Sequence, residues 1–203
     1  ILTLTGNSWL VADVMDSFLH VLVVKYRLTP PHSEYLETNC TLLRQIFAQQ
    51  LFDGGDIERL QELTSQFYGD RAEAYLNGCI VFPIPLHAHT IFCHISKSTK
   101  TITIADTYVG YTHEDKFPRV KEWYVMEHLS RGMPPPDFDR EGWLYLSDRN
   151  LPVTRPIQTD ATSCSVLAVF TIEHFLRYGV WPVASQTFRQ ANVPQLREYM
   201  IWT

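Results

Sequence analysis

Long apolar runs, basic clusters and paired cysteines are all scarce in this sequence. The longest apolar stretch, Phe18 to Val24, is interrupted by His20 and is far shorter than the roughly 20 residues of a membrane-spanning helix. Lys and Arg number 17 against 22 Asp and Glu, without a basic run, which argues against nucleic-acid binding. The four cysteines form no C-x-x-C pair, so we expect neither a disulfide framework nor a zinc ribbon.

What remains is the composition of a folded α+β domain. A hydrophobic fraction of 45% in 203 residues supplies a full core, so we expect a single domain over 1–203. Its helical part is expected at about 1–78, and its sheet with a central helix at about 79–203. The chain begins at Ile1 rather than at a methionine, so we expect a domain excised from a longer protein.

Helical periodicity dominates the first part of the chain. Apolar residues at near-helical spacing predict a first helix from Trp9 to Tyr26. The same pattern predicts a second helix through Leu42–Leu51, entered at residues 38–39, and a third that begins at Asp56 and runs towards Tyr68.

Strand signals begin at Cys79. A short buried strand is predicted from Cys79 to Ile84, and the segments His89–Ser96 and Thr101–Ala105 are typical of a hairpin. The later elements expected are a helix over 118–129, a strand over 142–147, a buried helix after Cys164 and a helical tail over about 185–202. Helices followed by a mostly antiparallel sheet with a buried helix predict the α+β class.

Three reactive side chains fall at defined places in these elements. A hairpin brings its outer ends together, so Asp106 can orient the imidazole of His89 and stabilise its charged form. Cys164 opens the buried helix, where the helix dipole and a nearby imidazolium lower the pKa of a thiol and produce the reactive thiolate. Gln158, six residues earlier, can direct its amide at a carbonyl oxygen under attack.

Three segments resemble the signature regions of the Ulp1/SENP-type cysteine peptidases, the SUMO protease family of clan CE. They read SWLVADVMDSFLHVL, HTIFCHISKSTKTITIADTY and QTDATSCSVLAVF. These are similar to W-L-x-D-x-x-I, then H-W-x-L leading to D-S, then Q-x-N-x-x-D-C-G, over about residues 8 to 178. The resemblance implies a papain-like, Ulp1-type fold without a cofactor, in which His89, Asp106 and Cys164 match the catalytic triad and Gln158 the oxyanion-hole glutamine.

The resemblance also implies where the substrate binds. Trp9 matches the aromatic residue that covers the modifier's Gly-Gly tail, and Thr90 and Ser163 are expected to contribute to the substrate channel. The sequence departs from the family pattern at several positions. Thr90 replaces a second tunnel tryptophan, Ala12 an aspartate, Ser163 and Ser165 the Asp and Gly that flank the nucleophile, and Thr107 a serine.

The implied function is a cysteine protease or isopeptidase that cleaves after the C-terminal Gly-Gly of a ubiquitin-like modifier. SUMO is the family default, which makes deSUMOylation the first expectation, and ubiquitin and NEDD8 are the alternatives. We expect it to act inside cells, in the nucleus or cytoplasm, or in a host cytosol if it is an effector. Membrane and nucleic acid are not expected partners. Two other functions stay open: a YopJ-type acetyltransferase and a non-catalytic module that binds a ubiquitin-like protein.

Histidines raise one further alternative. His87 and His89 form an H-x-H pair with His94 nearby, and such a pair can bind zinc. A third ligand at compatible spacing is missing, so no metal site is expected. The other histidines receive no functional role from the sequence: His20, His32, His113, His128 and His174.

Overall fold

A five-stranded mixed sheet carries helices on both of its faces. The computed structural model describes residues 12–28, 40–68, 76–108, 111–147, 158–178 and 190–202. The helices in these ranges are α1 (Ala12–Leu28), α2 (Gln45–Phe52), α3 (Ile57–Tyr68), α4 (Phe117–Ser130), α5 (Cys164–Tyr178) and α6 (Val193–Trp202). The strands are β1 (Cys40–Leu42), β2 (Cys79–Leu86), β3 (His89–Ser96), β4 (Thr101–Ala105) and β5 (Leu144–Leu146). None of the helices in the described ranges combines the length and apolar character needed to cross a membrane.

The strands follow one another in chain order across the sheet, from β1 to β5. The central pairs β2–β3 and β3–β4 are antiparallel, whereas the outer pairs β1–β2 and β4–β5 are parallel. The α+β class and the predicted hairpin are therefore confirmed, and the sheet is mixed, with its two longest pairings antiparallel.

Strand β3 is buried on both faces from Thr90 to Ser96, so its polar residues as well as its apolar ones lie inside the fold. Ile91, Cys93 and Ile95 belong to the core formed with α2, α3 and α4. The alternate residues face the opposite layer, where Phe92 packs in the core that contains α1, α5 and α6. On that same side the ring of His94 contacts Phe175 of α5, with ring centres 4.5 Å apart. The predicted buried helix thus lies directly against the strand that begins at His89.

The second predicted helix is wrong at its start. Leu42 ends strand β1 instead of opening the helix, and α2 begins at Gln45. β1 pairs in parallel with Cys79–Val81, a partner distant in sequence, so local periodicity could not reveal the strand. The predicted entry at residues 38–39 lies outside the described residues. The third helix does begin after Asp56, whose carboxylate accepts the backbone N–H of Arg59 at 2.7 Å.

Trp123 of α4 gives a test of the packing on the α2–α4 side. Its side chain is fully buried and meets the rings of Phe47 and Phe82 edge-on, at 4.7 Å and 6.2 Å. We expect Trp123→Ala to lower the free energy of unfolding by about 3–5 kcal/mol because it leaves a large cavity. Trp202, which is 81% exposed, is the matched control, and Trp202→Ala should change that value by less than about 0.5 kcal/mol. Urea unfolding measures both, and equal effects would contradict this packing.

Candidate active site

The open end of the β3–β4 hairpin holds an ion pair. His89 is the first residue of β3 and Asp106 follows β4, and the pairing of Phe92 with Ala105 brings the two together. His89 Nε2 donates to Asp106 Oδ1 at 2.5 Å. The backbone N–H of Tyr108 donates to the same oxygen at 2.7 Å, so the chain turns tightly around the carboxylate.

The Asp106 carboxylate is charged although it is only 1% exposed. Burial alone raises the pKa of this carboxyl, but hydrogen bonds from His113, His89 and the Tyr108 N–H outweigh it and bring the pKa to about 2. The pKa of His89 is likewise set by opposing effects: burial lowers it, and the contacts with Asp106 and Cys164 raise it to about 9. The imidazole is therefore protonated at neutral pH.

Cys164 is the first residue of α5 and its side chain is buried. Burial raises the pKa of this thiol, but His89, through a hydrogen bond and its charge, together with the Thr90 backbone N–H and the Ser165 hydroxyl, brings the pKa below its ordinary value. The Ser165 oxygen lies 3.9 Å from the sulfur. The site therefore favours a thiolate paired with an imidazolium.

The second ring nitrogen of His89, Nδ1, is not used by Asp106, which binds Nε2. It is buried and makes no hydrogen bond of standard geometry to any residue in the described ranges. Cys164 is nevertheless close enough to raise the pKa of His89 by a hydrogen bond and by its charge. We therefore interpret the two groups as adjacent but imperfectly aligned, since hydrogen bonds at catalytic sites often tighten only when substrate binds.

Gln158 is anchored beside the loop that carries Asp106. Its backbone N–H donates to the carbonyl of Thr107 at 2.8 Å, and the Thr107 hydroxyl donates to Oε1 of Gln158 at 3.0 Å. The amide nitrogen, Nε2, donates to the carbonyl of Asp160 at 2.5 Å and lies 3.4 Å from Oδ1 of the same residue. Because a carbonyl can only accept, this contact fixes which end of the amide is the donor end.

Asp160 organises the loop that leads into α5. Its carboxylate accepts the backbone N–H groups of Thr162 and Ser163, each at 2.9 Å, and the Ser163 hydroxyl at 2.7 Å. Its carbonyl accepts the hydroxyl of Tyr108. From α6, the buried guanidinium of Arg197 reaches the Thr162 carbonyl at 3.2 Å. The residues before Cys164 are thus held from several sides.

The three residues expected at the substrate channel differ in position. Thr90 is buried and its hydroxyl bonds to that of Ser165 at 2.8 Å, while Ser163 is buried against Asp160. Both side chains are therefore engaged within the protein. Trp9 lies outside the described residues.

Several residues at this site were missed by the sequence reasoning. Asp160 occupies the asparagine position of the glutamine motif, a signal that the sequence did offer. His113 and Tyr108 are loop residues without periodicity or a motif, so only the fold brings them to Asp106. Thr107 and Ser165 had been noted merely as departures from the family pattern.

No metal centre emerges from the described part of the chain, where no three His, Cys, Asp or Glu side chains form a suitable cluster. His87 is exposed in the turn before β3, and His94 lies on the α5 side of the sheet. Burial lowers the pKa of His94 to about 3, so this ring is neutral. The described residues thus do not assemble the zinc site that the H-x-H pair suggested.

A comparison with protein families identifies the class of this site. Residues 8–201 match the model of the Ulp1 protease family, C-terminal catalytic domain. The chain belongs to the Ulp1 protease family. It is accordingly a cysteine protease by family, and no curated protein sequence matches it significantly.

Solved structures with this fold agree with the family assignment. The chain is similar to the SUMO protease Ulp1 with its catalytic cysteine oxidised to a sulfenic acid, at a TM-score of 0.70 and 16% identity over 98% of this chain and 78% of that one. It is also similar to the Chaetomium thermophilum Ulp1-like SUMO protease catalytic domain, at 0.68 and 20% over 97% and 72%. A third is the Ulp1 domain in complex with Smt3, the yeast ortholog of SUMO, at 0.63 and 18% over 98% and 77%. At these identities the similarity shows the Ulp1-like fold.

The protonation state of this Ulp1-family site can be tested without substrate. Because imidazolium lowers the pKa of the Cys164 thiol, alkylation by iodoacetamide should remain fast at a lower pH than for an ordinary thiol and fall only when the thiolate becomes protonated. His89→Ala should raise that pKa and move the fall in rate to higher pH. Cys164→Ala is the control for the remaining thiols, among which only Cys40 is partly exposed. An unchanged pH profile in His89→Ala would contradict the ion pair.

Proposed function

We propose that this protease hydrolyses the bond after the C-terminal Gly-Gly of a ubiquitin-like modifier, with Cys164 as the nucleophile. The observation that carries the proposal is the charged His89–Asp106 pair, 2.5 Å apart, beside a thiol of lowered pKa at a helix N-terminus. Asp106 orients the imidazole through Nε2, which leaves Nδ1 for proton exchange with the sulfur.

The proposed reaction proceeds in two stages. The Cys164 thiolate attacks the carbonyl carbon of the terminal glycine, and the developing oxyanion accepts hydrogen bonds from Gln158 Nε2 and the Cys164 backbone N–H. As the tetrahedral species collapses, the His89 imidazolium gives its proton to the leaving amine and a thioester remains. Water, deprotonated by His89, then cleaves the thioester and releases the modifier with a free carboxylate.

Similarity supports SUMO as the modifier to test first. Two of the structures described above are called SUMO proteases, and the third, a Ulp1 protease domain, is bound to Smt3, the yeast ortholog of SUMO. Ubiquitin and NEDD8 are the alternatives, because the modifier is selected by a surface that extends beyond the catalytic residues.

The substrate channel is the part of the proposal where this chain differs from its family. We propose that Trp9 covers the diglycine tail, and that Thr90 leaves open the space that a tryptophan would occupy. The Thr90 side chain is held inward by Ser165, so its contribution is its small size rather than its hydroxyl. We propose that Ser163 shapes the channel indirectly, because its hydroxyl secures the Asp160 loop.

Two other functions would use the same residues differently. An acetyltransferase of YopJ type would form an acetyl-cysteine from acetyl-CoA, and a non-catalytic module would bind a modifier without cleaving it. The lowered pKa of the Cys164 thiol favours a reacting cysteine over simple binding.

The nucleophile is tested with modifier probes that carry a C-terminal electrophile. We expect a SUMO probe to label the wild-type protein covalently and Cys164→Ala to abolish labelling, because the thioether cannot form. Cys40→Ala, a change at the partly exposed thiol, should label like the wild type. Labelling that persists in Cys164→Ala would contradict the assignment.

Ubiquitin and NEDD8 probes in parallel identify the modifier, and incubation with labelled acetyl-CoA tests the acetyltransferase. Tight binding of a modifier to the wild type, with neither covalent labelling nor cleavage, would indicate the non-catalytic module instead.

Gln158 is tested by the separate effects on kcat and KM. Gln158→Ala removes an oxyanion donor, so kcat should fall about 10²- to 10³-fold with little change in KM. Thr107→Val removes the hydroxyl that fixes the amide and should give a smaller loss of the same kind. A Gln158→Ala variant that raised KM while keeping kcat would indicate a substrate-binding role.

A further inference from the structure

A second histidine shares the carboxylate that orients the catalytic base. His113 Nε2 lies 2.8 Å from Oδ2 of Asp106, while His89 Nε2 lies 2.5 Å from Oδ1. The Tyr108 N–H also donates to Oδ1 at 2.7 Å. Both carboxylate oxygens are therefore held, so the group cannot rotate about its terminal bond without losing at least one of these contacts.

His113 is tied through its backbone to the start of helix α4. Its backbone carbonyl accepts the first hydrogen bond of the short 3₁₀ turn Glu114–Lys116, which leads directly into α4. α4 is in turn attached to the neighbouring helices, because Arg119 donates to the carbonyls of Leu51 at 2.9 Å and Gly55 at 2.8 Å. The His113 ring is thus carried by the turn that leads into α4, while Asp106 lies in the loop that follows β4.

We propose that His113 is a positioning residue for the reaction: it fixes the orientation of the Asp106 carboxylate, and through it the tautomer and placement of the His89 imidazole. The proposal rests on the function proposed above for Cys164. A neutral imidazole is sufficient, because one N–H at Nε2 satisfies Oδ2. The carboxylate is almost fully buried, so water is a poor substitute for the lost donor.

The electrostatics of the site agree with this role. Burial raises the pKa of Asp106, and the hydrogen bond from His113 comes first among the contacts that lower it. The other titratable or charged groups nearby are His89, Cys164 and Tyr108 on the site side, Asp160 and Arg197 around the loop before α5, and those of the adjoining turn. In that turn Lys116 pairs with Asp115 at 2.7 Å, and Glu114 accepts the Ser147 hydroxyl at 3.5 Å, so these groups are engaged elsewhere.

The test is the pH profile of Cys164 alkylation by iodoacetamide, which requires no modifier. His113→Phe keeps an aromatic ring but removes the donor, so His89 should be held less well and the pKa of Cys164 should rise. We expect the acid limb of the profile, where the rate falls as the thiolate is protonated, to shift to higher pH by about one unit. At a pH on that limb the alkylation rate should then be about tenfold lower than in the wild type. His113→Gln places an amide N–H at the position of Nε2 and should restore the wild-type profile.

A double-mutant cycle separates positioning from a general structural effect. If His113 acts through Asp106, then His113→Phe should add nothing further in an Asp106→Asn background. The proposal would be overturned if the effects of the two substitutions on the alkylation profile were additive, or if His113→Phe kept the wild-type profile. It would also be overturned if the Phe and Gln variants shifted the profile equally. Should the Phe variant fail to fold, His113→Asn, whose amide is too short to reach Oδ2, takes its place with the same expected loss.

The result of this double-mutant cycle can be told apart from a failure of the proposed function. If no modifier is cleaved but the cycle shows coupling between residues 106 and 113, the positioning role stands and the substrate assignment falls. If Asp106→Asn leaves the alkylation profile unchanged, the triad and the role of His113 both fall.

Discussion

The buried carboxylate of Asp106 is the constraint on which the rest of the site depends. A carboxylate that is 1% exposed is stable as an anion only when donors replace the water it has lost. Here two imidazole rings and one backbone N–H supply that replacement. The same contacts hold the His89 ring in place and stabilise its positive charge. That charge in turn favours the thiolate of Cys164, so one buried anion sets the protonation of the whole group.

The layered fold brings these groups together from distant parts of the chain. The β3–β4 hairpin contributes the His89–Asp106 pair at its open end, and α5 packs on β3 with its N-terminus at the same end. The loop before α5 is held by Asp160 and, from α6, by Arg197. Substitutions at the Asp and Gly positions of the family motif are thereby accommodated, because the Ser163 hydroxyl donates to the Asp160 carboxylate and the Ser165 hydroxyl bonds to that of Thr90.

The sequence predicted the hairpin and the α5 helix well, because both have strong local signals: β-branched alternation around a polar turn, and an apolar run after Cys164. It failed at β1, whose partner is a strand almost 40 residues away and whose three residues carry too little pattern of their own. Motifs and hairpin geometry were enough to predict that His89, Asp106 and Cys164 come together in the candidate site. The contact of His113 with Asp106 was not predictable, since it depends on the path of a loop between two elements.

The most direct measurement of the central claim is an NMR titration of the His89 imidazole in the wild-type protein. If Asp106 and the Cys164 thiolate stabilise its charge, the ring should remain protonated through neutral pH and titrate with a pKa of about 9. A ring that titrates near the ordinary value of about 6.5 would contradict the account, because the paired charges that it requires would then not exist.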